Sequence, residues 1–524
     1  MIRKSLFLLT LITLSLCTQS LSKTTQKERA TVQQKPSQYN PVLIAEIWTE
    51  GASWPAEDTF NLQLGSTNQL QPNGLRMQYA LGQAVQALYK DSIFSQLTHN
   101  DVTIFSSESN PTILSAFAHI QGLIPQTYHK NITNNVPSTR LYPWPADKQT
   151  NFVKDPKSAL PFNTVIKAVH SIPKKEDKVF MTGIQSICPN AFKFQQGLMM
   201  QESANSGSLI QTISDAVAKA GYPCSKYFPK CSGTSKGYNL TQLADFSQAA
   251  ISYYYQTGGW PKGVDADLGT KLTWFDVFGV IAKNFEDPAV GTLYSSDIAE
   301  QIVEEFDSKI AGDKGVIKFL GYSAPKETIT GFLLGFQELT QDCVKQNLQN
   351  SGKKVEGTRN GQNTLFGRFG EVEGATGCPV EAPGFGSNLI FELSLKNDSF
   401  YHRVLYNGKV IKSCQDPNKD GYCDYEIFRT NFLKLFGLTS KQFAAACAQI
   451  TGKSMFWVWI SAMLLAVLVF LLIFSFCCLS SNLDSEIELS KEFSKEYSEE
   501  SQYEYEIDPI TGRKDSLRSN TSRI

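Results

Sequence analysis

Histidine is scarce in this chain, with five residues in 524. An excess of charge of one sign is missing too: 49 Lys and Arg stand against 50 Asp and Glu, for a net charge of −1. No basic run is interleaved with aromatics, so the chain carries no electrostatic footprint for nucleic acid. No Cys-x-x-Cys pair occurs, which with so few histidines removes the usual zinc spacings. Neither a metal nor a cofactor is expected. What is present is enough to build a core: 42% of residues are hydrophobic and 11% aromatic. Disorder is not the bulk reading, and the length allows two domains or one large one.

The N-terminus carries Arg3 and Lys4, an apolar run from Leu6 to Leu16, and small residues at Ser20 and Ser22. That order reads as a signal peptide over residues 1–22, the apolar run being too short to span a bilayer. A polar, Gln-rich leader is expected over 23–40. No charged residue falls between Met455 and Leu479, a stretch long enough for a transmembrane helix over 455–479. Trp457 and Trp459 stand at its outer end, where indoles favour the interface. The flanking charges orient the span poorly, so the signal peptide decides, and a single-pass type I protein results with its N-terminus lumenal or extracellular. Cys477 and Cys478 then lie at the cytosolic leaflet, where S-palmitoylation is a candidate modification. Residues 480–524 read as an acidic, disordered cytosolic tail, because Glu, Ser and Tyr without aliphatic periodicity cannot offset chain entropy. Tyr497, Tyr503 and Tyr505 do not meet the common tyrosine sorting pattern.

Eight cysteines remain for the lumenal side: Cys188, Cys224, Cys231, Cys343, Cys378, Cys414, Cys423 and Cys447. An even number in an oxidising compartment reads as disulfides. Short loops favour Cys224–Cys231 and Cys414–Cys423 as local pairs, and spacing decides no more. Asn131, Asn239 and Asn397 each begin an Asn-x-Ser/Thr sequence and are candidate glycan sites.

The apolar run from Pro41 to Trp48 predicts a buried strand that ends in a turn over Thr49 to Pro55. A helix should follow Pro72, with Leu75, Tyr79, Leu81, Val85, Leu88 and Tyr89 on one side. Strand and helix then alternate at Val102 to Phe105 with Thr112 to Leu123, and at Val316 to Ser323 with Thr328 to Leu339. Ile298 to Ile310 reads as helix. Two late strands are expected at Asn388 to Leu395 and Phe400 to Tyr406. This order implies an α/β fold, a doubly wound sheet with helices on both faces. A mainly helical cap subdomain would be inserted over about 150–265. Ligands of such sheets bind at the carboxyl ends of the strands. The turns Thr49–Pro55, Phe105–Pro111 and Tyr322–Thr328 should therefore share one cleft.

Residues 41–450 resemble the histidine acid phosphatase family, the branch that includes lysosomal and prostatic acid phosphatases. Leu70-Gln-Pro-Asn-Gly-Leu-Arg76-Met-Gln-Tyr-Ala-Leu-Gly82 is similar to the family's first-helix segment, and Asn110 to Pro125 to the helix after its second strand. Cys188-Pro189 resembles its Cys-Pro element. Phe385 to Leu395, with Arg403-Val-Leu-Tyr-Asn-Gly-Lys409, resembles its late strands and hairpin. The resemblance implies a sheet of the histidine phosphatase type, an acid phosphatase activity and a homodimer. It implies the pairs Cys188–Cys447 and Cys414–Cys423, leaving Cys343–Cys378 and Cys224–Cys231 by elimination.

The chemistry departs from the family. Its nucleophile sits in Arg-His-Gly-x-Arg-x-Pro, and here Thr49, Glu50, Gly51, Ala52, Ser53, Trp54 and Pro55 align with it. The third phosphate-binding Arg corresponds to Phe105, and the late His-Asp pair to Pro325 and Lys326. An imidazole is needed to form a phosphohistidine, and losing a nucleophile costs on the order of 10⁶ in rate in a serine protease. The guanidinium cradle for a dianion is gone as well. Glu50 would repel a phosphate at about 4 Å by roughly 4 kcal/mol at an effective dielectric of 20.

The sequence therefore reads as a membrane glycoprotein of this fold that is catalytically inactive, with a binding or structural role. Its former cleft, lined by Thr49, Glu50, Ser53, Phe105 and Lys326, would suit a neutral or cationic ligand. The alternative is an acid phosphatase with an altered site, in which Glu50 is the nucleophile, Lys326 the cation and Glu327 the general acid. A glycosidase-like pairing of Glu50 with Glu327 is weaker. His99, His119, His129, His170 and His402 read as satisfied structural histidines. Cell surface and lysosome-like compartment both fit the layout.

Overall fold

The structure is a computed structural model that describes residues 39–55, 67–124, 166–228, 237–350, 378–438 and 460–471 except 98, 314, 316, 415 and 416, together with Phe60, Leu62, Cys231, Phe443, Ala444 and Cys447. The signal peptide, Asn131, His129, Cys477, Cys478 and the acidic tail lie outside the described residues.

Strand β1 (Asn40–Thr49) sits in the middle of the sheet. It reads as one apolar run because both of its faces are covered. Leu43, Ala45 and Ile47 enter one core, and Ile44 and Trp48 enter the other. β1 pairs in parallel with β4 (Phe319–Ala324) and antiparallel with β5 (Asn388–Lys396). β4 continues in parallel to β2 (Val102–Ser107), and β2 to β3 (His170–Ile172). On the other side β5 leads antiparallel to β6 (Ser399–Tyr406), which pairs with β7 (Lys409–Ile411) and β8 (Cys423–Asp424). A mixed α/β fold around one central sheet results, as the sequence pattern predicts.

On one face α1 (Pro72–Tyr89) and α2 (Asn110–Leu123) pack together over Ile44, Trp48 and Ile104. The core on the other face gathers α3 (Pro189–Asn205), α4 (Gly207–Lys219), α5 (Leu240–Thr257), α6 (Ala266–Asn284), α7 (Ser296–Ala311) and α8 (Lys326–Gly335); of these α7 and α8 lie on the strands, and α6 joins α3, α4 and α5 to α8. α9 (Gln341–Asn350) and α10 (Tyr425–Phe436) complete that layer.

The predicted inner face of α1 needs correction. Leu75 and Leu88 are 42% and 50% exposed, and the buried residues include Gly74, Gln78, Leu81 and Val85. Close approach of backbone to backbone decides the face. A Cβ on Gly82 would lie 2.1 Å from the His119 carbonyl oxygen, and one on Gly122 would lie 2.0 Å from that of Tyr79. Small residues, not the two leucines, make the α1–α2 contact.

The polar leader also ends earlier than residue 40. Asn40 already pairs with Leu395 of β5, and Tyr39 is buried, stacked on Tyr422 with ring centroids 3.9 Å apart.

Among the described residues four disulfides are present: Cys188–Cys447, Cys224–Cys231, Cys343–Cys378 and Cys414–Cys423. These are the pairings expected above, and they mark an oxidising, extracytoplasmic setting. Two compact units divide between Ile450 and Thr451. In the second, residues 460–471 are helical, and Met463, Leu464, Leu465 and Val467 to Leu471 are exposed. No helix of the described residues is long and apolar enough to cross a membrane. The predicted span over 455–479 runs past the described residues at both ends.

Candidate functional site

The register of the central strands places the site. Thr49 and Ala324 are partners at the carboxyl ends of β1 and β4, so the next residues of each chain segment, Glu50 and Pro325–Lys326, emerge side by side. A cavity of about 620 Å³ opens there, and Thr49, Glu50 and Lys326 line it.

The backbone of this corner is fixed by groups that do no chemistry. Thr49 Oγ1 donates to the Gly384 carbonyl at 2.6 Å and accepts from the Ser387 amide at 3.0 Å, tying the loop before β5 to the end of β1. The Gly386 amide donates to the Glu50 carbonyl at 3.0 Å. Gly51 donates its amide to Ser115 Oγ at 3.0 Å. A Cβ on Gly51 would lie 2.4 Å from the Gly74 carbonyl oxygen, so only glycine lets the turn approach α1 this closely. Of the family motif, the glycine that persists here is the one the packing requires.

The sequence-predicted residues divide. Thr49, Glu50 and Lys326 meet at the cavity, and Pro325 sets the start of α8 as its N-cap. Ser53 is buried in a bridge to Leu70 and is not part of the lining. Phe105 is not part of it either. Its ring stacks on Tyr322 at 5.6 Å and belongs to the larger core. A side chain without hydrogen-bonding capacity gains more from that contact than from the cavity wall.

Lys326 offsets the Glu50 charge only in part, because its direct partner is Asp276. Its ammonium donates to both Asp276 oxygens, at 2.5 and 2.6 Å. Burial works against the Lys326 charge, but Asp276 and Glu327 beside it hold its pKa above the ordinary lysine value. Asp276 was missed by the sequence reading, although a signal existed: it is the one charge inside Trp274-Phe275-Asp276-Val277-Phe278, an apolar stretch of α6. Glu50 Oε2 is buried without a hydrogen-bond partner. Burial raises the Glu50 pKa to about 7, with Glu327 and Asp276 pushing the same way and a backbone hydrogen bond and Lys326 opposing.

The lining also holds Tyr254, Tyr255, Trp260, Trp274 and Phe385, an aromatic wall that the sequence reading left unassigned. Its nearest signal is the run Tyr253-Tyr254-Tyr255.

The described histidines lie elsewhere. His119 is buried on α2, 3.2 Å from Glu46 Oε2 and stacked on Trp48 at 4.2 Å. His170 is exposed at the edge strand β3 and His99 begins a short 3-10 turn. His402 departs from the expected satisfied histidine. It is buried with neither ring nitrogen bonded, and stacks on Phe428 at 3.3 Å. Burial holds its pKa well below the ordinary value, so the neutral ring acts as one more aromatic in a phenylalanine cluster. Of the glycan candidates, Asn239 is exposed and caps α5 through a bond from the Gln242 amide. Asn397 is exposed in the β5–β6 hairpin turn with φ 49°. No cluster of His, Cys, Asp or Glu suited to a metal occurs among the described residues.

The model of the histidine phosphatase superfamily, branch 2, matches residues 16–407. The chain belongs to that superfamily. No curated protein matches it. Among solved structures it is similar to the phytase of Citrobacter braakii, at 12% identity and TM-score 0.47 over 76% of this chain and 98% of that one. It is also similar to the phytase of Klebsiella sp. ASR1, at 12% identity and TM-score 0.48 over 76% and 96%. The multiple inositol polyphosphate phosphatase of Bifidobacterium longum is similar at 11% identity and TM-score 0.44 over 79% and 96%.

Proposed function

We propose that this histidine phosphatase relative does not hydrolyse phosphate monoesters. In this reading it is a membrane-anchored glycoprotein whose cleft at the ends of β1 and β4 binds a neutral or cationic ligand. Anchoring would come from residues 455–479, and glycans from Asn131, Asn239 and Asn397. One observation carries the loss of activity: at the cavity floor the nearest cation, Lys326, is engaged by both oxygens of Asp276, beside a carboxyl group at Glu50. A dianion entering there meets two carboxyl side chains and a lysine already engaged by one of them. Phosphoryl transfer depends on positioned positive charge at the transferring oxygens.

The alternative, an acid phosphatase using Glu50 as nucleophile, is disfavoured by the same carboxyl group. A carboxyl that stays protonated until about pH 7 is a weak nucleophile through the acid range. The test is turnover of an aryl phosphate by the full chain in mild detergent, from acid pH to neutrality. No turnover above background is expected. Turnover that disappears in Glu50→Ala would establish the altered-site enzyme instead.

A further inference from the structure

The cavity has aromatic walls and an acidic floor. Tyr255 meets Tyr254 and Phe385 edge to face, with interplanar angles of 85° and 79°, and Trp260 lies 4.7 Å from Tyr254. Rings set at right angles offer π faces in more than one direction, which suits the surface of an alkylammonium ion. On the floor, Glu50 Oε2 is buried without a donor. An unpaired buried carboxyl oxygen is costly, and a positive charge offsets that cost. Within the lining, Lys326 is bound to Asp276 and Lys409 to Glu381. Arg76 is exposed on α1 and pairs with no carboxylate among the described residues.

We propose that the cleft takes an organic ammonium ion, with its cationic head at Glu50 and its alkyl groups against Tyr254, Tyr255, Trp260 and Phe385. This rests on the reading that the cleft no longer holds phosphate. Binding should also depend on pH. Glu50 is faced by Lys326 and Glu327 from α8, Asp276 from α6, Arg76 from α1, Tyr254 and Tyr255 from α5, and Glu381 from the loop before β5. With the Glu50 pKa near 7, acidification protonates it and removes the counter-charge. A ligand held at neutral pH would be released in an acidic compartment.

The test titrates choline, its neutral isostere carrying a tert-butyl group in place of trimethylammonium, and inorganic phosphate into the full chain in detergent, by calorimetry. Choline should bind about tenfold tighter than the isostere at neutral pH. Its affinity should fall toward that of the isostere, by up to about tenfold in all, as pH drops below the Glu50 pKa. Glu50→Gln should abolish both the preference and the pH slope, whereas Tyr255→Ala should weaken choline and keep the slope. Choline bound no better than the isostere, or without a pH slope in the unaltered protein, overturns the proposal whether or not the variants fold. Tight phosphate binding overturns the reading beneath it. Binding of neither choline nor phosphate overturns the ammonium site alone.

Discussion

Glu392 and Glu50 are carboxyl groups on adjacent strands of the same sheet, and their surroundings are opposite. Glu392, fully buried on β5, receives two bonds from Arg403 at 3.0 and 2.8 Å. Tyr89, Tyr422 and Ser394 hydroxyls add three more at 3.0, 2.5 and 2.6 Å. Glu50, at the end of β1, has one oxygen with no donor at all. A buried charge that serves only the fold is saturated, because each missing bond would cost stability. A carboxyl left incomplete beside a cavity is held there by the packing around it, and what it lacks describes what it can bind.

The largest test removes the saturated partner. Glu392→Ala leaves the Arg403 guanidinium without its carboxylate among three hydroxyl groups. It should cost about 3–5 kcal/mol of unfolding free energy, measured by urea unfolding, as breaking a buried ion pair does. A loss below about 1 kcal/mol would show that the two carboxyl groups are not the opposites drawn here.

A smaller effect is expected at the Lys326–Asp276 pair, whose side chains keep 19% and 12% exposure. Lys326→Ala should cost about 2 kcal/mol by leaving Asp276 without its charged donor. Adding Asp276→Asn should restore part of that stability. If the double variant is less stable than the sum of the two single ones, the pair is not the self-contained unit that keeps Lys326 from Glu50.

Much of this architecture was legible in the sequence. β1, β2, β5 and β6 announced themselves as apolar runs, and the cysteine count with the family resemblance led to all four bridges. The meeting of Glu50 with Lys326 followed from two parallel strand ends. What escaped was whatever depends on a third element arriving from far along the chain. Asp276 comes from α6, 50 residues before Lys326, and no periodicity links the two. Leu75 and Leu88 look like core until Gly82 and Gly122 set the helix contact. Phe105 and Ser53 were assigned to the cleft by alignment with polar family positions, but an aromatic ring and a bridged serine follow packing. Position in a motif predicted the backbone well and the side-chain surroundings poorly.

The mildest perturbation sharpens the comparison most. Glu50→Gln keeps shape and removes the titration. In the folded chain the Glu50 carboxyl has its pKa raised from 4.5 to about 7, so between those values the folded state binds more protons than the unfolded one. Stability from this group is fully present below about pH 4.5 and is lost as pH rises through 7. Because Glu50 lines the cavity and the residue as a whole is only partly buried, the loss should be about 1–2 kcal/mol, less than the full shift would give. Glu286, whose pKa burial and then Glu202 raise to about 7, adds a slope of the same sign. The informative quantity is therefore the difference between the unaltered protein and Glu50→Gln, followed by thermal unfolding from acid to mildly alkaline pH. The variant should match the parent in acid and exceed it above neutrality. Parallel curves across the whole range would mean that Glu50 is solvated like a surface carboxylate, with no unmet need for a ligand's charge.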